Sequence, residues 1–154
     1  MKIGIDARFF GAEDRGIGRY TENLIRNLEK IDLQNQYFIF LKKQRWDNYN
    51  PESKNFQKVK FTLNFKKYEL DLMHFTHYKI PFYNDKFILT VHDLIWQKFP
   101  IFWFVKRLIY KIFFNLAIKK SEKIIAVSNY VKEDILRNYK INPEKIVVIY
   151  EGVS

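Results

Sequence analysis

Residues 123–150 read KIIAVSNYVKEDILRNYKINPEKIVVIY, and this stretch decides the fold. Ile124–Val127 is a short apolar run of the kind that forms a buried strand. The pattern that follows predicts a helix over Asn129–Tyr139, with Ser128 at the position of an N-cap. Glu133 and Asp134 lie too far along to complete a capping box. Asn142-Pro143 then turns the chain into a second apolar strand, Ile146–Tyr150. Strand, helix, strand in this order implies parallel pairing through a right-handed crossover, and so a layered α/β sheet.

The same alternation extends towards the N-terminus. Ile3–Ala7 reads as a first strand. Residues 17–30 form a helix with Ile17, Tyr20, Leu24, Ile25 and Leu28 on one face. Further strands are expected at Tyr37–Leu41, at Val59–Leu63 after an Asn-rich loop from Gln44 to Asn55, at Leu70–Phe75 and at Phe87–Val91. FILTV (87–91) and KIVVIY (145–150) are apolar on both faces, as buried parallel strands must be. The expected fold is therefore Rossmann-like: a layered, mostly parallel sheet with helices on both faces, in a single domain over 1–154. Neither a repeat nor a linker divides the chain.

Composition sets wide bounds. A 154-residue chain is long enough to bury a core without covalent staples. The chain has no cysteine, which excludes disulfides and thiolate metal sites and fits a reducing compartment. No signal peptide is visible, and no apolar run reaches the 18 residues of a membrane span. A cytoplasmic location is expected. The net charge is +10, with 15 Phe, 10 Tyr and 3 Trp. A basic excess suits an anionic partner, although a Lys- and Phe-rich genome would produce the same composition. The basic residues are dispersed and no nucleic-acid module is present, so nucleic acid is not an expected partner.

Four segments could carry chemistry. Asp6-Ala7-Arg8 and then Arg15-Gly16-Ile17-Gly18 bring a strand through a loop into a helix. Glycines there let backbone N–H groups reach a phosphate or sugar, and the helix N-terminus adds positive potential. The third glycine of the dinucleotide fingerprint is missing. Arg8 and Arg15 are candidate anion contacts on charge grounds; a tight loop with solvated arginines is the structural alternative. In Leu89-Thr90-Val91-His92-Asp93, a strand delivers His92 and Asp93 to its carboxyl end, where an imidazole can hydrogen-bond a sugar hydroxyl or balance a phosphate. A metal phosphohydrolase would need further ligands there. His74 and His77 lie near a different strand end, so no metal is expected. Ser128 is first a cap, and its exposed helix N-terminus can also serve a ligand. Lastly, a helix over about 101–120 projects Phe102, Val105, Ile109, Ile112, Phe113 and Leu116 onto one face, expected to be core. The opposite side mixes Arg107, Lys111 and Lys119 with Trp103, Phe104, Phe114 and Ile118. Either an anionic membrane surface takes Trp103, Phe104, Arg107, Lys111 and Phe114, or loops and a further domain cover them.

The pieces IGIDARFF, GIGRYTENLIRNL, LDLMHFTHYKIP, LTVHDLIWQKFP, KKSEKIIAVSNYVKEDI and INPEKIVVIYEGVS, in this order and spacing, resemble family-four glycosyltransferases. The nearest branch builds bacterial surface polysaccharides, often from mannosyl donors. The resemblance implies a retaining GT-B enzyme whose N-terminal domain binds mainly the acceptor and whose C-terminal domain binds a nucleotide-sugar. It implies that Gly16 and Gly18, with Ile17 between them, approach the donor diphosphate and that His92 contacts the transferred sugar. Asp93 is given an orienting role. No metal or other cofactor is required. An E-x7-E element and the donor-binding domain are expected to lie outside this chain, in a partner chain or a lost segment, leaving the chain inactive alone. The expected partners are a nucleotide-sugar and a saccharide or lipid-linked acceptor, with peripheral contact to the inner membrane face. A non-catalytic binding or assembly subunit on the same scaffold is the alternative.

Overall fold

The structure is a computed structural model describing residues 1–11, 13, 15–95 and 104–152, with the backbone alone for 104–107. The chain forms two compact units, Met1–Thr76 with Pro81–Lys86, and His77–Ile80 with Phe87–Ser154.

In the first unit, β1 (Lys2–Asp6) lies between β2 (Gln36–Leu41) and β4 (Leu72–Phe75), and β3 (Phe56–Lys60) pairs with the outer side of β2. All three pairings are parallel, and their register sets Asp6 beside Phe40 and Phe75. Helix α1 (Arg15–Ile31) makes the crossover from β1 to β2. Ile25 joins Ile5, Ala7, Ile39 and Leu41 in a core on one face of the sheet. On the other face, Phe40, Phe65, Phe75 and Tyr83 meet edge to face at 5.1–6.4 Å, a geometry that adds to plain burial. Gly4 makes this second face possible. A Cβ there would lie 2.6 Å from Met73 Sδ and 2.7 Å from Leu70 Cδ1.

The second unit repeats the parallel pattern. Strand β5 (Phe87–Val91) pairs with β6 (Lys123–Ala126), and β6 pairs with β7 (Ile146–Val148), aligning Val91, Ala126 and Val148 at one end. Helix α2 (Phe104–Lys120) leads from β5 to β6, and α3 (Asn129–Asn138) from β6 to β7. The C-terminus of α2 is closed by Lys145 Nζ, which donates to Lys119 O at 2.6 Å. A cation there complements the helix dipole, while burial holds the Lys145 ammonium below its ordinary range.

The α/β, Rossmann-like reading thus holds, and most elements lie where the sequence pattern puts them. Three differ. Strand β3 starts at Phe56, three residues before the expected Val59, and the polar loop ahead of it holds a 3-10 turn at Lys43–Asn48. The buried line of α1 runs through Gly18, Thr21, Ile25 and Glu29, offset from the apolar face expected. Glu29 is buried because its Oε1 accepts from the Tyr49 hydroxyl at 3.0 Å and from Glu52 N at 2.9 Å. Helix α2 is turned over. Phe114 and Ile118, expected to face outward, are 2% and 0% exposed, whereas Ile109, Ile112, Phe113 and Leu116, expected as core, are 46–63% exposed. Both faces of this helix are apolar, so periodicity alone does not choose between them. Docking chooses: Phe114 sits against the rings of Tyr78 and Tyr139 at 6.5 and 5.1 Å. Phe114 is therefore not a membrane-facing residue. Trp103 lies outside the described residues, as do the side chains of Phe104 and Arg107; Lys111 is exposed.

Candidate functional site

In the first unit, the candidate residues gather where β1 ends and α1 begins. Asp6 is fully buried at the end of β1, and a buried carboxylate needs a partner. Arg8 supplies it. Its Nε lies 2.9 Å from Asp6 Oδ1 and its Nη2 2.7 Å from Oδ2, and its guanidinium lies over the Phe61 ring at 4.5 Å. The charge expected to attract a phosphate is thus closed onto Asp6, with the Arg8 side chain 15% exposed.

The loop after Arg8 is tied back to the helix. Gly11 N donates to Gly18 O at 3.2 Å, from a backbone with φ of +99°, where glycine alone is at ease. Thr76 Oγ1 donates to Asp6 O at 2.7 Å and accepts from Thr21 Oγ1 at 3.2 Å, which joins β1, β4 and α1. Thr21 Oγ1 also lies 2.9 Å from Ile17 O. The first turn of α1 is therefore held from beneath. Arg15 opens it in the left-handed region, φ +55°, a conformation costing a side-chain-bearing residue roughly 1–2 kcal/mol. Arg15 and Gly16 are exposed, Ile17 is half-buried and Gly18 is buried. A Cβ built on Gly16 meets nothing within 4 Å. Packing does not demand glycine there, and the backbone at that turn is open to a ligand.

In the second unit, the aligned carboxyl ends of β5, β6 and β7 present the other candidates. His92 follows β5 directly, and its Nδ1 lies 2.7 Å from Glu151 Oε1, just beyond β7. An ionised carboxylate only accepts, so Nδ1 carries the proton in this pair. Asp93 does not touch that ring through any described bond; its Oδ1 accepts from Ile95 N at 3.0 Å and shapes the loop leaving β5. Ser128 is the cap that the sequence suggests, accepting from Val131 N at 3.2 Å. Asn129 Nδ2 donates to the Tyr150 hydroxyl at 2.9 Å at the same end.

Three residues of this end escape sequence reasoning. Glu151 is brought to His92 only by the register of the three strands. Tyr150 meets Asn129 for the same reason. Tyr78, from the 77–80 segment, is placed near Asp93: burial first, then the Asp93 carboxylate and Tyr110, push its hydroxyl above the usual phenol range. His74 and His77 are both buried. His77 Nδ1 accepts from Lys79 N at 3.0 Å and its ring stacks on Tyr78 at 4.2 Å. Among the described residues, no helix is long and apolar enough to cross a membrane.

Against known proteins, residues 15–154 match the family profile described as Glycosyltransferase Family 4. A curated relative, the O-antigen chain mannosyltransferase RfbU of Salmonella typhimurium, is 32% identical over 79 residues; the match covers 51% of this chain and 22% of that protein. A solved glycosyltransferase from Rickettsia africae ESF-5 aligns over 99% of this chain and 43% of its own, at 23% identity and a TM-score of 0.46. The chain thus spans less than half the length of either protein.

Proposed function

The chain belongs to glycosyltransferase family 4, and we propose that it is the acceptor-side half of a retaining GT-B hexosyltransferase. The donor is a nucleotide-hexose and the acceptor a saccharide or a lipid-linked saccharide. The observation that carries this reading is His92, held at the carboxyl end of β5 by Glu151, in a chain matched to the family over 15–154. In parallel α/β sheets, ligands bind beyond the carboxyl ends of the strands.

Taken separately, each unit holds groups suited to part of this chemistry. In the first, the open backbone at Gly16 and the N–H groups of the first α1 turn suit the donor diphosphate, with the helix dipole adding positive potential. In the second, a His92 ring fixed through Nδ1 can hydrogen-bond a hydroxyl of the transferred sugar. The Ser128-capped N-terminus of α3 lies at the same strand ends. The transition state of such a transfer is oxocarbenium-like, and the donor's own phosphate oxygens with the surrounding dipoles stabilise it. A mannosyl donor is the first to try, since the Salmonella relative is a mannosyltransferase by name.

The test is transfer of labelled hexose from GDP-mannose and from UDP-hexoses to a polyprenyl-linked saccharide, with this chain mixed with the donor-binding half of a family-four enzyme. His92→Ala is expected to lower turnover about 100-fold, the order of effect of removing one well-placed hydrogen-bonding group at a charged transition state, with the circular dichroism spectrum unchanged. If His92→Ala transfers at the original rate, or if no nucleotide-hexose supports transfer, the chain is a binding or assembly subunit instead.

A further inference from the structure

Helix α2 faces outward with the wrong chemistry for water. Leu108, Ile109, Ile112, Phe113 and Leu116 are 46–63% exposed and, at 100° per residue, fall within one sector of its surface. Contiguous exposed apolar patches of this kind mark a contact with something else. The segment that carries it is basic. From Leu94 to Ser121 the sequence contains no Asp or Glu, while it contains Lys98, Lys106, Arg107, Lys111, Lys119 and Lys120. Beside the stripe, a groove between α2 and the end of α3 is lined by Leu108, Ile112, Asn115, Lys111, Lys119 and Lys140. The groove therefore has an apolar floor and a lysine rim.

We propose that this outward face of α2 docks on an anionic phospholipid surface. Protein interfaces are depleted in lysine and enriched in Trp, Tyr and Arg; the exposed stripe is aliphatic, with one Phe, and lysine is the cation beside it. Lysine stems lie along apolar surface and place the ammonium at phosphate level. A helix of 17 residues lying flat covers about 25 Å of membrane. The aliphatic stripe enters the boundary between headgroups and acyl chains, and Lys111, Lys119, Lys120 and Lys140 meet the anionic headgroups, each adding about fivefold to partitioning. The docking residues differ from those that periodicity alone assigns, because Phe114 is turned into the core. The inference stands apart from the transfer reading, since its readout is lipid binding alone.

Co-sedimentation of the chain with phosphatidylcholine vesicles, and with vesicles containing 30% phosphatidylglycerol, tests it. Binding to the anionic vesicles is expected to be at least tenfold tighter and to weaken in 0.5 M salt. Ile112→Ser with Phe113→Ser removes the apolar contact, and Lys111→Glu with Lys119→Glu reverses the charge; each pair is expected to lower binding at least tenfold. These positions are exposed, and an unchanged circular dichroism spectrum confirms an intact fold. Equal binding to both vesicle types overturns the proposal, as does binding that survives either pair. Absent vesicle binding, together with a dimer in solution that the Ile112 and Phe113 changes dissociate, assigns the face to a second copy of the chain and overturns it as well.

Discussion

At His92, the ring nitrogen that meets Glu151 Oε1 at 2.7 Å is the one a sugar cannot use. The carboxylate thereby decides which nitrogen the imidazole presents. Glu151→Ala removes a charge-assisted hydrogen bond worth roughly 1.5–3 kcal/mol, and is expected to lower hexose transfer about tenfold or more. Glu151→Gln keeps an acceptor and should retain most of the rate. The ¹⁵N chemical shifts of His92 give a second readout: the Nδ1–H tautomer is expected in the parent and a mixture in Glu151→Ala. An unchanged tautomer would show that Glu151 does not orient the ring. Gly16 allows an equally sharp separation of folding from binding. Because a Cβ there meets open space, Gly16→Ala is expected to leave stability unchanged or raise it by about 0.5–1 kcal/mol. It should weaken nucleotide-sugar binding by calorimetry if the diphosphate sits against that turn; undiminished affinity would move the diphosphate elsewhere. His92, Ser128 and the glycine turn were legible because each directly follows or opens an element that the sequence reveals. Glu151 was not, since 59 positions separate it from His92 and only strand register joins them.

Among the elements, the turn from α1 into β2 is built around one carboxylate. Asp32 Oδ1 accepts from the backbone of Gln34 and Asn35, and Oδ2 accepts from the Asn35 amide and the Tyr37 hydroxyl, both at 2.7 Å. The Asn35 side chain first, then the Tyr37 hydroxyl and the two backbone donors, hold this carboxyl well below the usual carboxylate range. A depressed carboxylate stabilises the fold above its unfolded pKa, and that contribution is lost as pH falls towards the folded value. Thermal unfolding should therefore steepen with acid below about pH 4, and Asp32→Asn should flatten that limb while lowering the melting temperature at neutral pH. Identical acid limbs in the two proteins would refute this. Strand β5 was legible because buried parallel strands are apolar on both faces, as FILTV is; IVV was read as buried by the same rule, yet Val147 is 42% exposed. The facing of α2 was not legible, because a helix with apolar residues on both faces gives no preferred side, and the rings of Tyr78 and Tyr139 made the choice. The offset of α1 escaped notice for a related reason: Glu29 is buried by its hydrogen bonds to Tyr49 and Glu52 rather than by hydrophobicity.

Over the whole molecule, the +10 charge is unevenly spent. Arg8 neutralises Asp6, Lys145 closes α2, and the cations of α2 lie on a helix without a single acid. The layered α/β fold could be read from strand and helix order, whereas the pairing of distant side chains needed coordinates. One such pairing reaches beyond chemistry. The carboxylate that steadies His92 rides on the strand's exit, one residue after Tyr150, so the imidazole is leashed to the path by which the polypeptide leaves the sheet. The aim of the ring and the course of residues 150–152 are thus coupled through this 2.7 Å contact.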